Sequence, residues 1–336
     1  MSAISGTAIS GLGPHGERAA SPDHLSLSEA EIEAARARRP RVAVLLHTTA
    51  SDWARLELSG IRSTLERHGA RLCEVVDCGF RIEAQIAALR RLAADPPEAV
   101  ISLPIASMAV ADAHRGVSRA GSKLVLLDNG PTGLLPGNDY VSVVSADNFG
   151  LGSIAARLLS PHVPQGGKVG ILSYQADFFA TNEREIAFRK WIGSERPDIL
   201  LQPVRFSEVD AVVEPLTRFL DEHPDAAGLF AVWDVPAAAA VSVLRARARR
   251  VPMTTIDLGK DVAVALAQGD LVKGIAGQRA FDQGVAAAMA TLSALVGRQP
   301  PSWLVLPGMA VTSENVGEAY RRIWHEPPPP QLVTAP

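Results

Sequence analysis

The sequence predicts an α/β chain made of two doubly wound parallel-sheet lobes. Three observations predict it. Short apolar runs such as Val-Ala-Val-Leu-Leu (42–46) and Leu-Val-Leu-Leu (124–127) do not alternate with polar residues, as expected of strands covered by helices on both faces. Each run is followed by a longer stretch with amphipathic, helix-period spacing. The whole array then occurs a second time, and two successive βα arrays imply two lobes.

Taken in order, residues 1–40 form a flexible arm rich in Ser, Gly, Ala and Pro, carrying one short charged helix. Ser28 and Glu31 are spaced as a capping box for that helix, which runs to about Arg36. Strands are expected at 42–46, 71–76, 99–103, 123–127 and 141–144, with helices at 54–68, 82–94 and 108–120 between them. The second array has strands at 168–173, 200–205, 228–232, 253–257 and 271–275. Its helices are at 148–159, 181–193, 209–223, 236–248 and 259–268. A Pro-rich tail, 326–336, closes the chain as a stiff polyproline stub.

The 336 residues suffice for two ordinary domains, and 47% hydrophobic with 21% charged residues describes a globular chain. A net charge of −3 leaves no electrostatic footprint for nucleic acid. No apolar run is long enough to span a membrane, and residues 1–23 lack the basic start and apolar core of a secretory signal. Cys73 and Cys78 read as two small buried side chains; their spacing permits a disulfide without implying one. The eight histidines are scattered, with no pairing suited to a metal, and no cofactor is expected.

Ligands of such folds sit beyond the carboxyl ends of the strands, so the residues there carry the functional argument. The first strand leads into His47, Ser51, Asp52 and Trp53, and the fourth into Asp128 and Asn129. In the second array the strands lead towards Phe178 and Arg184, Phe206, Trp233 and Asp234, Asp257 and Gln278. Singly, each Asp is as well explained as a helix cap and each Trp as a core ring. Together they suit a polyhydroxylated ligand, whose C–H faces stack on rings. Its hydroxyls both donate and accept, against Asp, Arg, Asn and Gln.

In their order and spacing these segments resemble the type I periplasmic sugar-binding proteins of the ribose-binding kind, over about residues 41–315. The likeness rests on Val-Ala-Val-Leu-Leu-His47 with Asp52-Trp53, on Leu-Leu-Asp128, and on Ser145-Ala-Asp147-Asn148 with Gly150 and Gly152. It continues through Asn182-Glu-Arg184 with Phe188, Phe206, Phe230-Ala-Val-Trp233-Asp234, Ile256-Asp257, and Gln278 with Gly284. The resemblance implies that Trp53 stacks on the sugar, Asp128 accepts from its hydroxyls, Arg184 donates, Phe206 stacks from the second lobe, and Asp257 with Gln278 adds polar contacts. It implies a three-strand hinge, with crossings near 145–149, 276–279 and 307–311. The lobes are then 41–146 with 279–307 and 147–278 with 308–325. It further implies a non-enzymatic, monomeric, periplasmic protein that closes on its ligand and serves an ABC permease. Asn129, Trp233 and His47 depart from the ribose pattern, removing a cation and adding a ring. They point to another pentose, a hexose or a sugar alcohol, a polyol being favoured.

Two rivals are weaker. A sugar-responsive sensor or repressor of the lactose-repressor class shares the fold, yet residues 1–40 hold no helix-turn-helix. Gly11-Leu-Gly13-Pro-His-Gly16 matches a dinucleotide fingerprint in letters, but follows no strand and has Pro14 where a helix should start. No phosphate loop or nucleophile elbow supports an enzyme.

Overall fold

The computed structural model describes residues 9 and 11–333. Two six-stranded sheets organise them. The first array runs α1 (Glu29–Arg38), β1 (Arg41–Leu46), α2 (Asp52–Arg67), β2 (Arg71–Asp77), α3 (Ile82–Ala94), β3 (Ala99–Ser102), α4 (Ala111–Arg119), β4 (Lys123–Leu127) and β5 (Ser142–Ala146). The second runs α5 (Asn148–Leu159), β6 (Lys168–Tyr174), α6 (Phe179–Glu195), β7 (Leu200–Phe206), α7 (Val213–Glu222), β8 (Ala226–Ala231), α8 (Asp234–Ala246), β9 (Met253–Ile256), α9 (Lys260–Gln268) and β10 (Val272–Gly277). Then α10 (Ala280–Leu295) and β11 (Trp303–Leu306) return to the first sheet, and β12 (Met309–Val311) with α11 (Val316–Trp324) to the second.

The strand orders are β11-β5-β4-β3-β1-β2 and β12-β10-β9-β8-β6-β7, so one frame is used twice. All pairings within the sheets are parallel except β10 with β12. The chain passes between sheets after β5, β10 and β11. The apolar runs at β1, β4 and β9 are buried along nearly their whole length, the burial that non-alternating strands require.

Close helix crossings set the walls of each lobe. A Cβ on Gly60 would strike the carbonyl of Phe281, and one on Gly284 the carbonyl of Glu57. α2 and α10 therefore touch backbone to backbone. In the second sheet Gly152 lets α5 approach the Arg184 carbonyl of α6 in the same way.

Three expectations need correction. α1 has the capping box, Ser28 with Glu31, but extends to Arg38, because Leu295 O accepts from Arg38 and holds the last turn down. The arm is not flexible over 11–40. Ala20 pairs beside Leu304, its N–H donating to Trp303 O at 3.0 Å and its carbonyl accepting from Val305 at 3.0 Å. Tyr140 Oη donates to Glu17 at 2.6 Å, and Arg298 to Glu31 Oε2 at 2.6 Å. Residues 1–8 and 10 lie outside the described residues. The Pro-rich tail turns at Pro330–Leu332 and buries Leu332 in the second core, because an apolar side chain after the prolines finds a groove beside α9. Cys73 and Cys78 are free thiols. Among the described residues no helix is long and apolar enough to cross a membrane.

Candidate functional site

A cleft of about 300 Å³ opens between the carboxyl ends of the two sheets. From the first array it is lined by His47, Thr48, Ala50, Ser51, Trp53, Phe80, Leu103, Ile105 and Asp128. Tyr174, Phe178, Thr181, Arg184, Trp233, Asp234 and Asp257 face them from the second. Strand ends deliver most of these groups, because β1, β3, β4, β6, β8 and β9 all point the same way within their sheets.

Asp128 and Asp257 are counterparts. They follow β4 and β9, which hold the same place in the two strand orders. Both are left-handed, with φ of 53° and 70°, a conformation Asp tolerates better than most residues and which concentrates at functional sites. The Asp128 N–H donates to Val144 O at 3.0 Å and the Asp257 N–H to Ala276 O at 3.1 Å. Each turn is thus tied to the adjacent strand.

Arg184 is the hub of the second wall and is only 5% exposed. Its Nε donates to Asn148 Oδ1 at 2.9 Å. Nη1 donates to Val232 O at 3.0 Å and to Asp257 Oδ2 at 3.3 Å, and Nη2 to Gln278 Oε1 at 2.8 Å. Gln278 Nε2 passes the chain on to Gln283 Oε1 at 2.7 Å, and Gln283 Nε2 donates to Val144 O at 3.2 Å. Asn148 and Gln278 stand at two of the three crossings between sheets, so the guanidinium is wired to the joint of the molecule.

Rings cover the remaining walls. In the first, His47 lies 5.5 Å from Trp53 and 4.8 Å edge-on from Phe80. In the second, Tyr174 meets Trp233 edge-on at 5.6 Å. Burial lowers the His47 pKa to about 4, against the pull of Asp77, and keeps the ring neutral at neutral pH. Burial pushes Asp128 up to about 6, with Arg184 opposing. It raises Asp234, which the charge of Asp257 raises further, and it raises Asp257 against the pull of Arg184.

Five polar atoms of lining residues are buried without a hydrogen-bond partner: His47 Nδ1, Trp53 Nε1, Asp128 Oδ1, Asp234 Oδ1 and Asp257 Oδ1. A fold leaves such groups unpaired at a cost of about 1–3 kcal/mol each, and five of them in residues that line one cleft mark a place that a ligand completes.

Of the twelve residues expected from sequence, His47, Ser51, Trp53, Asp128, Phe178, Arg184, Trp233 and Asp257 line this cleft, and four do not. Phe206 ends an edge strand and is buried behind the wall, 5.6 Å from Tyr174 and 5.3 Å from Trp233. Tyr174 occupies the face assigned to it. Asn129 turns into the protein, its Nδ2 donating to Pro104 O at 3.0 Å. Asp52 accepts from the Lys260 N–H of α9 at 2.8 Å and pairs with Arg55, bridging the two arrays outside the lining. Gln278 acts through Arg184. Asp147 is a helix cap, accepting from Gly150 N at 2.9 Å. Phe80 was missed. It sits after β2 in a left-handed turn, and only the Cys78-Gly79 turn signal beside it hinted at a residue thrown towards the opening.

Residues 42–299 match a family described as "Periplasmic binding protein domain". A D-ribose/D-allose-binding protein of Pseudomonas aeruginosa is 24% identical over 270 residues, 78% of this chain and 84% of that protein. Two solved structures from Agrobacterium vitis share the fold. One is an ABC transporter solute-binding protein with bound α-D-tagatopyranose: TM-score 0.77, 20% identity, 85% of this chain and 99% of that one. The other carries allitol: TM-score 0.72, 18% identity, 84% and 98%.

Proposed function

We propose, from the premise that the chain belongs to the periplasmic binding protein domain family, that it is the solute-binding protein of a carbohydrate ABC importer. It holds a monosaccharide or sugar alcohol in the cleft and performs no chemistry on it. The observation that carries the reading is the set of five unpartnered polar atoms between facing aromatic walls. Rings meet the C–H faces of a polyol, and fixed donors and acceptors meet its hydroxyls. The sugar and polyol named for the similar proteins support the same ligand class.

The lobes are 41–146 with 279–307 and 147–278 with 308–325, and they move about the three crossings as the ligand is taken up. Trp53 and Asp128 come from one array, Arg184 and Asp257 from the other. A ligand touching all four binds the closed state better than the open one, which is the only way it can shift that equilibrium. The Arg184 bonds to Asn148 and Gln278 make the binding wall continuous with the crossings. A monomer in its closed form then presents both lobes to the permease in the periplasm; no nucleic acid takes part.

The test is thermal unfolding of the purified protein across pentoses, hexoses and sugar alcohols. A true ligand at a hundred times its dissociation constant adds about 2.7 kcal/mol and is recovered unchanged. A panel without any saturable shift, or recovery of a converted product, refutes the assignment.

A further inference from the structure

We propose that the cleft selects a polyol bearing a protonated amino group, an amino sugar or an amino sugar alcohol; this rests on the polyol-binding reading above. Among the lining residues stand three carboxylates, Asp128, Asp234 and Asp257, and one permanent cation, Arg184. Four of the five guanidinium N–H groups are already spent on Asn148, Val232, Asp257 and Gln278. The arginine therefore offsets one acid and has little left to donate to a guest. Each of the three acids, by contrast, points one buried oxygen at no partner.

The duplicated frame shows that the first wall lacks the cation its counterpart has. Arg184 is the sixth residue of α6, counting from Phe179, and it faces Asp257. The sixth residue of α2, counting from Asp52, is Glu57. It is fully buried, both its carboxyl oxygens lack partners, and the charge it feels is that of Asp128. One lobe has an Arg–Asp pair at this position and the other a Glu–Asp pair. The first wall thus has an acid where its counterpart has a cation.

A hydroxyl that donates to a carboxylate still has lone pairs to satisfy. The donors left on the walls are neutral, Trp53 Nε1 and the hydroxyls of Thr48, Ser51 and Tyr174, so none of them offsets the acids. An ammonium brings donors alone and no lone pairs, and its charge offsets the excess of acid. The faces of Trp53, Trp233 and Tyr174 also favour a cation. A metal ion is a poorer match, since among the described residues no three His, Cys, Asp or Glu groups are placed to hold one.

The experiment is isothermal titration of the full chain at neutral pH with matched pairs: D-glucose and D-glucosamine, D-galactose and D-galactosamine, D-glucitol and D-glucamine, with choline as a cation lacking the polyol chain. The expected result is an amine binding tighter than its hydroxyl partner by about tenfold or more in at least one pair. Asp234→Asn is expected to weaken that amine more than its partner. Equal or tighter binding of the hydroxyl compounds means that the acids are held protonated and donate; it overturns the amine selectivity and leaves the polyol reading standing. Choline binding without any sugar or polyol, or no binding at all, overturns both.

Discussion

The buried carboxyl of Glu57 makes a prediction that needs no ligand. Its side chain is inaccessible, neither oxygen is hydrogen-bonded, and burial, then the nearby Asp128 charge, raises its pKa well above the ordinary 4.5. The unfolded chain releases this proton near the ordinary value while the folded chain keeps it. Stability from this group is therefore intact below about pH 4.5 and falls as pH rises towards the folded value, by about 1.4 kcal/mol per pH unit. His47 and His114, both lowered to about 4 by burial, act oppositely, losing stability as pH falls from about 6.5. A wild-type profile mixes these trends, so the clean quantity is a difference. Glu57→Gln keeps the shape and does not titrate; the histidines cancel. Urea unfolding of ligand-free wild type and variant at rising pH above about 5 should show the variant gaining on the wild type. Glu57→Leu, which also removes the unpaired polar group, should be more stable by roughly 1–3 kcal/mol even at the acid end. A gap that stays flat or narrows with pH would show that Glu57 finds a partner and ionises in the fold.

Two further outcomes follow from the site. Asp52→Ala removes the acceptor that bridges α2 to the first amide of α9, so the ligand-free protein should open and its radius of gyration by solution scattering should increase; an unchanged value excludes Asp52 as an interlobe latch. Trp53→Ala should weaken ligand binding by about thirtyfold or more, whereas Phe206→Leu, buried behind Tyr174 and Trp233, should cost about 1 kcal/mol of stability and change affinity by less than about threefold. A large affinity loss from Phe206→Leu would return that ring to the ligand.

What the sequence made legible follows from what each signal measures. Apolar runs such as 42–46 and 124–127 announce strands covered on both faces, and those elements appear where expected. The sequence carries no signal for α10, because a helix buried on nearly all sides shows no polar face; its Ala-rich run has no amphipathic period. The short edge strands β11 and β12 were invisible for lack of length. At the site, strand-end position located the right neighbourhood but not the direction of each side chain. Asp52 and Trp53 are adjacent on α2, yet a helix turns about 100° per residue, so one bridges to α9 while the other faces the cleft. Asp128 and Asn129 separate for another reason: the left-handed backbone at Asp128 sends its successor inward.

Glu57 joins these lines of argument. In the sequence it is a charged residue on the apolar stripe of α2, three after Ala54 and four before Ile61, whereas Glu66 lies on the exposed side. Its significance comes from Gly60 and Gly284, whose missing side chains let α10 close over that face of α2. Close packing alone would favour an apolar residue there, since an unpaired buried carboxyl costs stability. The same position in the second lobe holds Arg184, equally buried but bonded on every side. The fold therefore gives up stability in one lobe to keep an acid, rather than a cation or an apolar residue, behind Asp128.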